Sequence, residues 1–182
     1  MTSQLSTVLK SVQRSVWGLV FGSRHWVNRQ VGSVAETVHG SKILELGSGR
    51  RDRGADAYSM RSLFDSSNEF VQSDVVPEYG HAIVDATTME FDAEFDVILC
   101  SSVLEHVYDC RAAVERIHRA LKPGGRALIS VPHLFPYHDE PEDFWRFTEY
   151  AVRRLLAEFS AVEIKHRGPR RLPLTLFVIA TK

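Results

Sequence analysis

The sequence has no apolar run approaching the ~20 residues that a membrane-spanning helix needs. It has only two cysteines, Cys100 and Cys110, in 182 residues. Two such thiols build neither a disulfide framework nor a metal-binding pattern, so a reduced, cytoplasmic setting is the expectation. Charge is nearly balanced, with a formal net charge of -1. That removes the global positive field of a nucleic-acid binder, and no nucleic-acid partner is expected. The length suits one domain with a real core and is too short for a second complete one. Acid is missing locally: the first 35 residues contain no Asp or Glu, yet carry Lys10, Arg14, Arg24 and Arg29.

A third glycine is also missing from the stretch around which the chain is organised. Ile43-Leu44-Glu45-Leu46-Gly47-Ser48-Gly49 is an apolar run that ends in an acid-x-Gly-x-Gly turn. The run reads as a buried parallel strand, and the glycines let the backbone turn sharply and approach a ligand with no Cβ in the way. In a doubly wound α/β sheet, the turn after the first strand is where a nucleotide-like cofactor sits. A dinucleotide site requires its third glycine where this chain has Asp52, an acid at the place of the pyrophosphate. That argues against NAD or FAD, as does the lack of a Tyr-x-x-x-Lys pair.

Ahead of this strand, Leu5, Val8, Leu9, Val12, Val16, Leu19 and Val20 fall at helical spacing. Trp26, Val27, Val31, Val34 and Val38 continue on a second helix, which Ser23 can cap and Gly40 can end. Residues 1–40 are thus expected as two amphipathic helices before a domain over 41–182. An apolar stripe usually faces its own core, which favours a lid over the cofactor cleft. Peripheral contact of residues 1–35 with an anionic membrane, at its inner face, and a targeting peptide are the alternatives.

After the glycines, residues 50–68 are polar with a weak helical stripe, and a short or irregular crossover is expected. Phe70-Val71 begins a second strand, and Asp74 just beyond it is placed to accept both hydroxyls of an adenosine ribose. Ala82-Ile83-Val84 is a third strand, followed by Asp85-Ala86, where a carboxylate can meet the adenine amino group and backbone can meet the ring. Phe95 to Cys100 is almost wholly apolar, as a central parallel strand should be. It leads into Ser101-Ser102-Val103-Leu104-Glu105-His106, beyond the strand end and so facing the cleft. A helix capped by Asp109 buries Ala113, Val114, Ile117 and Leu121 and stops at Lys122-Pro123-Gly124-Gly125, before a fifth strand over Ala127 to Val131. Thr148 caps a helix burying Val152, Leu155, Leu156 and Phe159. Two last strands, Ala161 to Lys165 and Leu174 to Ala180, are expected as an antiparallel pair.

ILELGSG, Asp74, the VDA at Val84 to Ala86, FDVILCSSVLEHV at Phe95 to Val107 and ALKPGG at Ala120 to Gly125 resemble, in order and spacing, the class I S-adenosyl-L-methionine (SAM) methyltransferases of the small-molecule branch called type 11. The likeness runs from about Ser41 to Phe159. It implies an α/β fold with a doubly wound, Rossmann-like sheet, mostly parallel with an antiparallel C-terminal strand. It also implies SAM as cofactor, held by Glu45, Gly47, Ser48, Gly49, Asp74, Asp85, Ala86 and Ser101. Glu45 fits the family's first motif, and the methionine ammonium favours a nearby carboxylate. The departure is Arg51, which holds the third place of the family's G-x-G-x-G.

Residues 131–148 hold three prolines, two histidines, four acids and five aromatics, a poor core element and a plausible site-lining loop. Its H-x-x-P-x-D-F-W-R-F-T portion resembles a subset of these methyltransferases among enzymes of polysaccharide and cell-envelope modification. A hydroxyl acceptor needs its proton removed, and the candidate bases are His133, His138 and His106, with His133 preferred for directly following the fifth strand. A Mg²⁺ site from His133, His138, Asp139 and Asp143 is disfavoured, since Mg²⁺ prefers oxygen and one proline-broken loop rarely presents an octahedral set; no metal is expected. The leading expectation is O-methylation of a small, sugar-like or lipid-linked hydroxylated acceptor. The alternative is a catalytically silent methyltransferase-like module that serves as a binding or regulatory partner.

Overall fold

The computed structural model describes residues 22–50, 59–138 and 142–182. Among them, seven strands form one sheet: β1 (Lys42–Leu46), β2 (Glu69–Asp74), β3 (Ala82–Ile83), β4 (Phe95–Ser101), β5 (Leu121–Pro132), β6 (Ala161–Arg167) and β7 (Thr175–Thr181). Their spatial order is β3-β2-β1-β4-β5-β7-β6. All neighbours pair in parallel except β7, which runs antiparallel to both β5 and β6. The order reverses between β1 and β4, and such a switch point opens a crevice beyond the strands' carboxyl ends.

Alternation along the central strands loads both faces of the sheet. Ile43, Val97, Leu99, Leu128 and Phe177 point to one side, where they pack with Val27, Val31, Val34, Ala35 and Val38. The first four of those belong to α1 (residues 22–35), so the second of the two expected amphipathic helices is a layer of the sandwich. The first expected helix lies outside the described residues. Leu44, Leu46, Ile98, Cys100 and Ile129 point to the other side, against α2 (Cys110–Ala120) and α3 (Glu149–Leu155). Asp109 caps α2 by accepting the Ala112 amide at 3.0 Å, and Thr148 caps α3 through the Ala151 amide at 3.2 Å.

Two local expectations are corrected. Ser23 does not cap α1: Gly22 before it is already helical, and the buried Ser23 hydroxyl accepts a hydrogen bond from Arg167 of β6. The fifth strand begins at Leu121 rather than Ala127, because Lys122 to Gly125 stays beside β4 through a register shift between Phe95 and Val97. Gly124 takes φ +77, and a Cβ on Gly125 would lie 3.1 Å from the Phe95 carbonyl, so glycine is what allows the strands to stay this close. In the first crossover the described residues carry only a 3₁₀ turn, Arg61–Leu63.

Candidate functional site

The crevice starts at the glycine turn. Gly47 and Gly49 both adopt left-handed φ, +69 and +71, where a side chain is strained. A Cβ on Gly47 would fall 2.6 Å from Val103 Cγ2, so the turn presses against the segment that leaves β4. The Ser48 amide donates to the Ser73 carbonyl at 2.9 Å, and the Gly49 amide donates to Asp74 Oδ2 at 2.9 Å. The other Asp74 oxygen accepts the Val76 amide at 3.1 Å. The Asp74 side chain is thereby fixed at the end of β2, and each carboxylate oxygen keeps acceptor capacity beyond one amide.

Glu45 lies beneath this turn, 4% exposed. Its carboxylate accepts from Ser48 Oγ at 2.7 Å, Ser59 Oγ at 2.6 Å and the Met60 amide at 2.6 Å. Three hydrogen bonds offset its desolvation and tie the glycine turn to residues 59 and 60 of the first crossover. Further along, Asp85 Oδ1 accepts the amide and hydroxyl of Thr87, both at 2.7 Å, in an exposed turn beside the buried Ala86. Ser101 ends β4 with its hydroxyl 2.8 Å from that of Ser130 on β5. The structure thus gathers Glu45, Gly47, Ser48, Gly49 and Asp74 in one hydrogen-bonded unit. Asp85, Ala86 and Ser101 follow neighbouring strand ends.

Two further side chains shape this edge, His81 from outside any motif and Val103 from the motif that follows β4. His81, in the β2–β3 connection, donates from Nε2 to the Gly49 carbonyl at 2.9 Å and braces the turn from outside. Val103 is the wall that keeps position 47 a glycine.

On the acceptor side, Ser102 has φ +54, a strained value for a serine, and turns the chain into the 3₁₀ turn Leu104–His106. The carbonyl of Glu105 accepts the amides of Phe144 and Trp145 at 2.8 and 3.2 Å, which docks the loop after β5 onto this turn. Trp145 Nε1 adds a bond to the Val107 carbonyl at 3.1 Å. Arg146 shapes the rest of the loop: it donates to the Phe135 and Pro136 carbonyls at 3.1 and 2.8 Å and grips both oxygens of Asp143 at 2.5 and 2.6 Å. That guanidinium, with the His138 amide and ring, holds the Asp143 carboxyl far below the usual carboxylate range despite burial.

The three candidate histidines all border this loop. His133 donates from Nδ1 to the Phe147 carbonyl at 2.8 Å, which leaves Nε2 as the lone-pair nitrogen of the neutral ring. His106 makes the same kind of bond, Nδ1 to the Glu142 carbonyl at 2.6 Å. His138 packs edge-on against His106, ring centroids 4.9 Å apart, with its Nδ1 3.1 Å from Asp143 Oδ2 but not aligned for a hydrogen bond. Between them lies Glu105, 1% exposed; burial pushes its carboxyl up to about 8, opposed by its own backbone amide and by the Arg146 charge. Of the four residues considered for Mg²⁺, Asp139 is outside the described residues, and His133 and Asp143 are bound elsewhere. Tyr108, Tyr137, Phe144 and Trp145 leave ring surface exposed around the same loop.

This sheet order, with β7 reversed and a glycine turn at the switch point, is the class I methyltransferase architecture. The chain belongs to the methyltransferase domain family, whose model matches residues 24–168. The ubiquinone biosynthesis O-methyltransferase of Pseudomonas aeruginosa is 26% identical over 118 residues, which covers 59% of this chain and 49% of that protein. The chain therefore spans about half the length of the curated relatives it matches. The fold is similar to that of the Burkholderia thailandensis 1,6-didemethyltoxoflavin-N1-methyltransferase, a structure with bound 1,6-didemethyltoxoflavin and S-adenosylhomocysteine (TM-score 0.61, 22% identity, covering 98% of this chain and 89% of that one). A SAM-dependent methyltransferase from Mesorhizobium loti is also similar (TM-score 0.59, 16% identity, 80% of this chain and 92% of that one). Among the described residues, no helix is long and apolar enough to cross a membrane.

Proposed function

We propose that this chain is a SAM-dependent methyltransferase that methylates a hydroxyl oxygen of a small acceptor, sugar-like or lipid-linked. The observation that carries the reading is the unit of left-handed Gly47 and Gly49 held by the buried Asp74 at the switch point of the sheet. SAM fits that unit: the glycines give backbone access, and Asp74 offers lone pairs for two ribose hydroxyls. The exposed Asp85 then serves the adenine edge, with Ala86 and Ser101 beside it. When bound, SAM supplies an electrophilic methyl group.

The chain's own residues supply position and proton acceptance. Holding an acceptor oxygen on the methyl axis is worth roughly 7–11 kcal/mol, and the loop from His133 to Phe147, docked on Glu105, is placed for it. His133, oriented by the bond from its Nδ1 to the Phe147 carbonyl, takes the hydroxyl proton on Nε2, a contribution of about 10²- to 10⁴-fold. The exposed rings of Tyr137, Phe144 and Trp145 offer stacking faces for a sugar or similar ring. An oxygen acceptor agrees with the named activity of the Pseudomonas relative, and the saccharide class with the resemblance of the H-x-x-P-x-D-F-W-R-F-T loop. In this reading the protein works in the cytoplasm, and a lid over the cleft or a contact with an anionic membrane surface is left to residues 1–21, because residues 22–35 pack on the sheet.

Methyl-labelled SAM incubated with a panel of hydroxylated saccharides, phenols and lipid-linked sugars tests this. Label transferred to an acceptor oxygen is the expected result. Arg51 in place of a third glycine favours one competitor, a silent cofactor-binding module. Tight S-adenosylhomocysteine binding with no transfer to any acceptor class would select it.

A further inference from the structure

We propose that Glu105, His106 and His138 form a binding site for a divalent transition-metal cation on the acceptor side of the cleft. Two stand in the turn after β4 and one in the loop after β5, so only the folded chain brings all three together. The fold brings one donor atom of each to within 4.8 Å of the other two. Ligand bonds of about 2.0–2.2 Å at tetrahedral angles set donors roughly 3.3–3.6 Å apart, so closing each pair by up to about 1.5 Å completes the set.

Two further observations, independent of that proximity, point to a ligand. Glu105 is 1% exposed, and its Oε2 has no hydrogen-bond partner, an arrangement that native proteins rarely leave without a bound group. His106 donates Nδ1–H to the Glu142 carbonyl, which fixes the tautomer whose Nε2 carries the lone pair; ligating imidazoles are oriented by this kind of outer bond. His138 adds a ring nitrogen to the set; its Nδ1 is sealed from solvent and stands 3.1 Å from Asp143 Oδ2, out of line for a hydrogen bond, a contact that orients the ring. The docking of Phe144 and Trp145 onto the Glu105 carbonyl holds the two contributing segments together before any ion arrives.

Two imidazoles and one carboxylate suit Zn²⁺, Mn²⁺ or Fe²⁺ better than Mg²⁺ or Ca²⁺, which select all-oxygen sets. Three protein ligands leave coordination positions for oxygens from outside. That an acceptor hydroxyl takes one of them rests on the methyltransferase reading above; cation binding itself does not.

The test uses the full chain without an affinity tag, freed of metal and with no cofactor or acceptor present. Co²⁺ is titrated in and followed by its visible absorption, then displaced with Zn²⁺. The expected result is one Co²⁺ per chain, displaced by one Zn²⁺. Glu105→Gln, His106→Ala and His138→Ala should each weaken binding by more than the roughly 10- to 100-fold that loss of an outer partner costs, while His133→Ala leaves it unchanged. Binding that is absent, or equal in all four variants, overturns the site. Should a variant lose its cooperative thermal transition, the imidazole nitrogen resonances of the unmutated chain decide. Zn²⁺ must shift those of His106 and His138, and unshifted signals overturn the proposal. Cation binding without methyl transfer would contradict the functional reading and leave this site standing; transfer without cation binding would do the reverse.

Discussion

The Asp74 carboxylate accepts the Gly49 amide at 2.9 Å, so the end of β2 holds the turn that follows β1. One side chain thus couples the two strand ends that flank the proposed adenosine site. Asp74→Ala should weaken S-adenosylhomocysteine binding by on the order of 1.5–3 kcal/mol, the value of hydrogen bonds to a charged acceptor. Asp74→Asn keeps one acceptor oxygen and should fall between the two. Calorimetry that finds wild-type affinity in the alanine variant would move the ribose contact elsewhere.

The amino-terminal residues separate into two roles. Val31 is 1% exposed against the sheet, and Val31→Ala removes two methyl groups from that core, at a cost of about 2 kcal/mol in urea unfolding. Deletion of residues 1–21 should leave that core in place and speed dissociation of bound S-adenosylhomocysteine. Unchanged dissociation together with lost binding to anionic vesicles would make these residues a membrane contact instead.

The site's base is tested at His133. Once an acceptor is known, His133→Ala should keep cofactor affinity and lower turnover by about 10²- to 10⁴-fold. Equal turnover at saturating acceptor would leave His133 as a structural residue that anchors Phe147, and pass the candidacy to His138 and His106.

The acid limb of stability has an identifiable contributor in Asp96. Partial burial raises its carboxyl, but bonds from Lys122 Nζ at 2.7 Å and the Lys42 amide at 2.8 Å outweigh this, and the net shift is downward. A carboxyl depressed in the folded state stabilises above the unfolded value, about pH 4, and that stabilisation is lost as pH falls through the folded value. Asp96→Asn should therefore reduce stability at pH 7 and flatten its decline as pH falls below about 5. An unchanged slope in urea unfolding across that range would assign the limb to other carboxylates.

The sheet was legible because period and punctuation agree. Ile43 to Leu46 and Phe95 to Cys100 are largely apolar and buried on both faces, and each ends where a glycine or serine turns the chain, as central parallel strands require. The start of β5 was hidden because Lys-Pro-Gly-Gly reads locally as a turn; only the pairing of Leu121 with Phe95 makes it strand. Asp74 and the glycines were readable from spacing along one crossover. The internal partners of Glu45, the brace from His81 and the meeting of Glu105 with His138 were not, since each depends on which loops the folded sheet sets side by side.

The central claim, a SAM site on the glycine turn, is tested most directly by calorimetric titration of S-adenosylhomocysteine into the wild-type chain and into Gly47→Val. Valine at this position has to adopt φ +69 with its Cβ 2.6 Å from Val103 Cγ2. The account predicts saturable one-to-one binding by the wild type and its loss in a Gly47→Val variant that still unfolds cooperatively. No binding by the wild type, or equal binding by both, would contradict it.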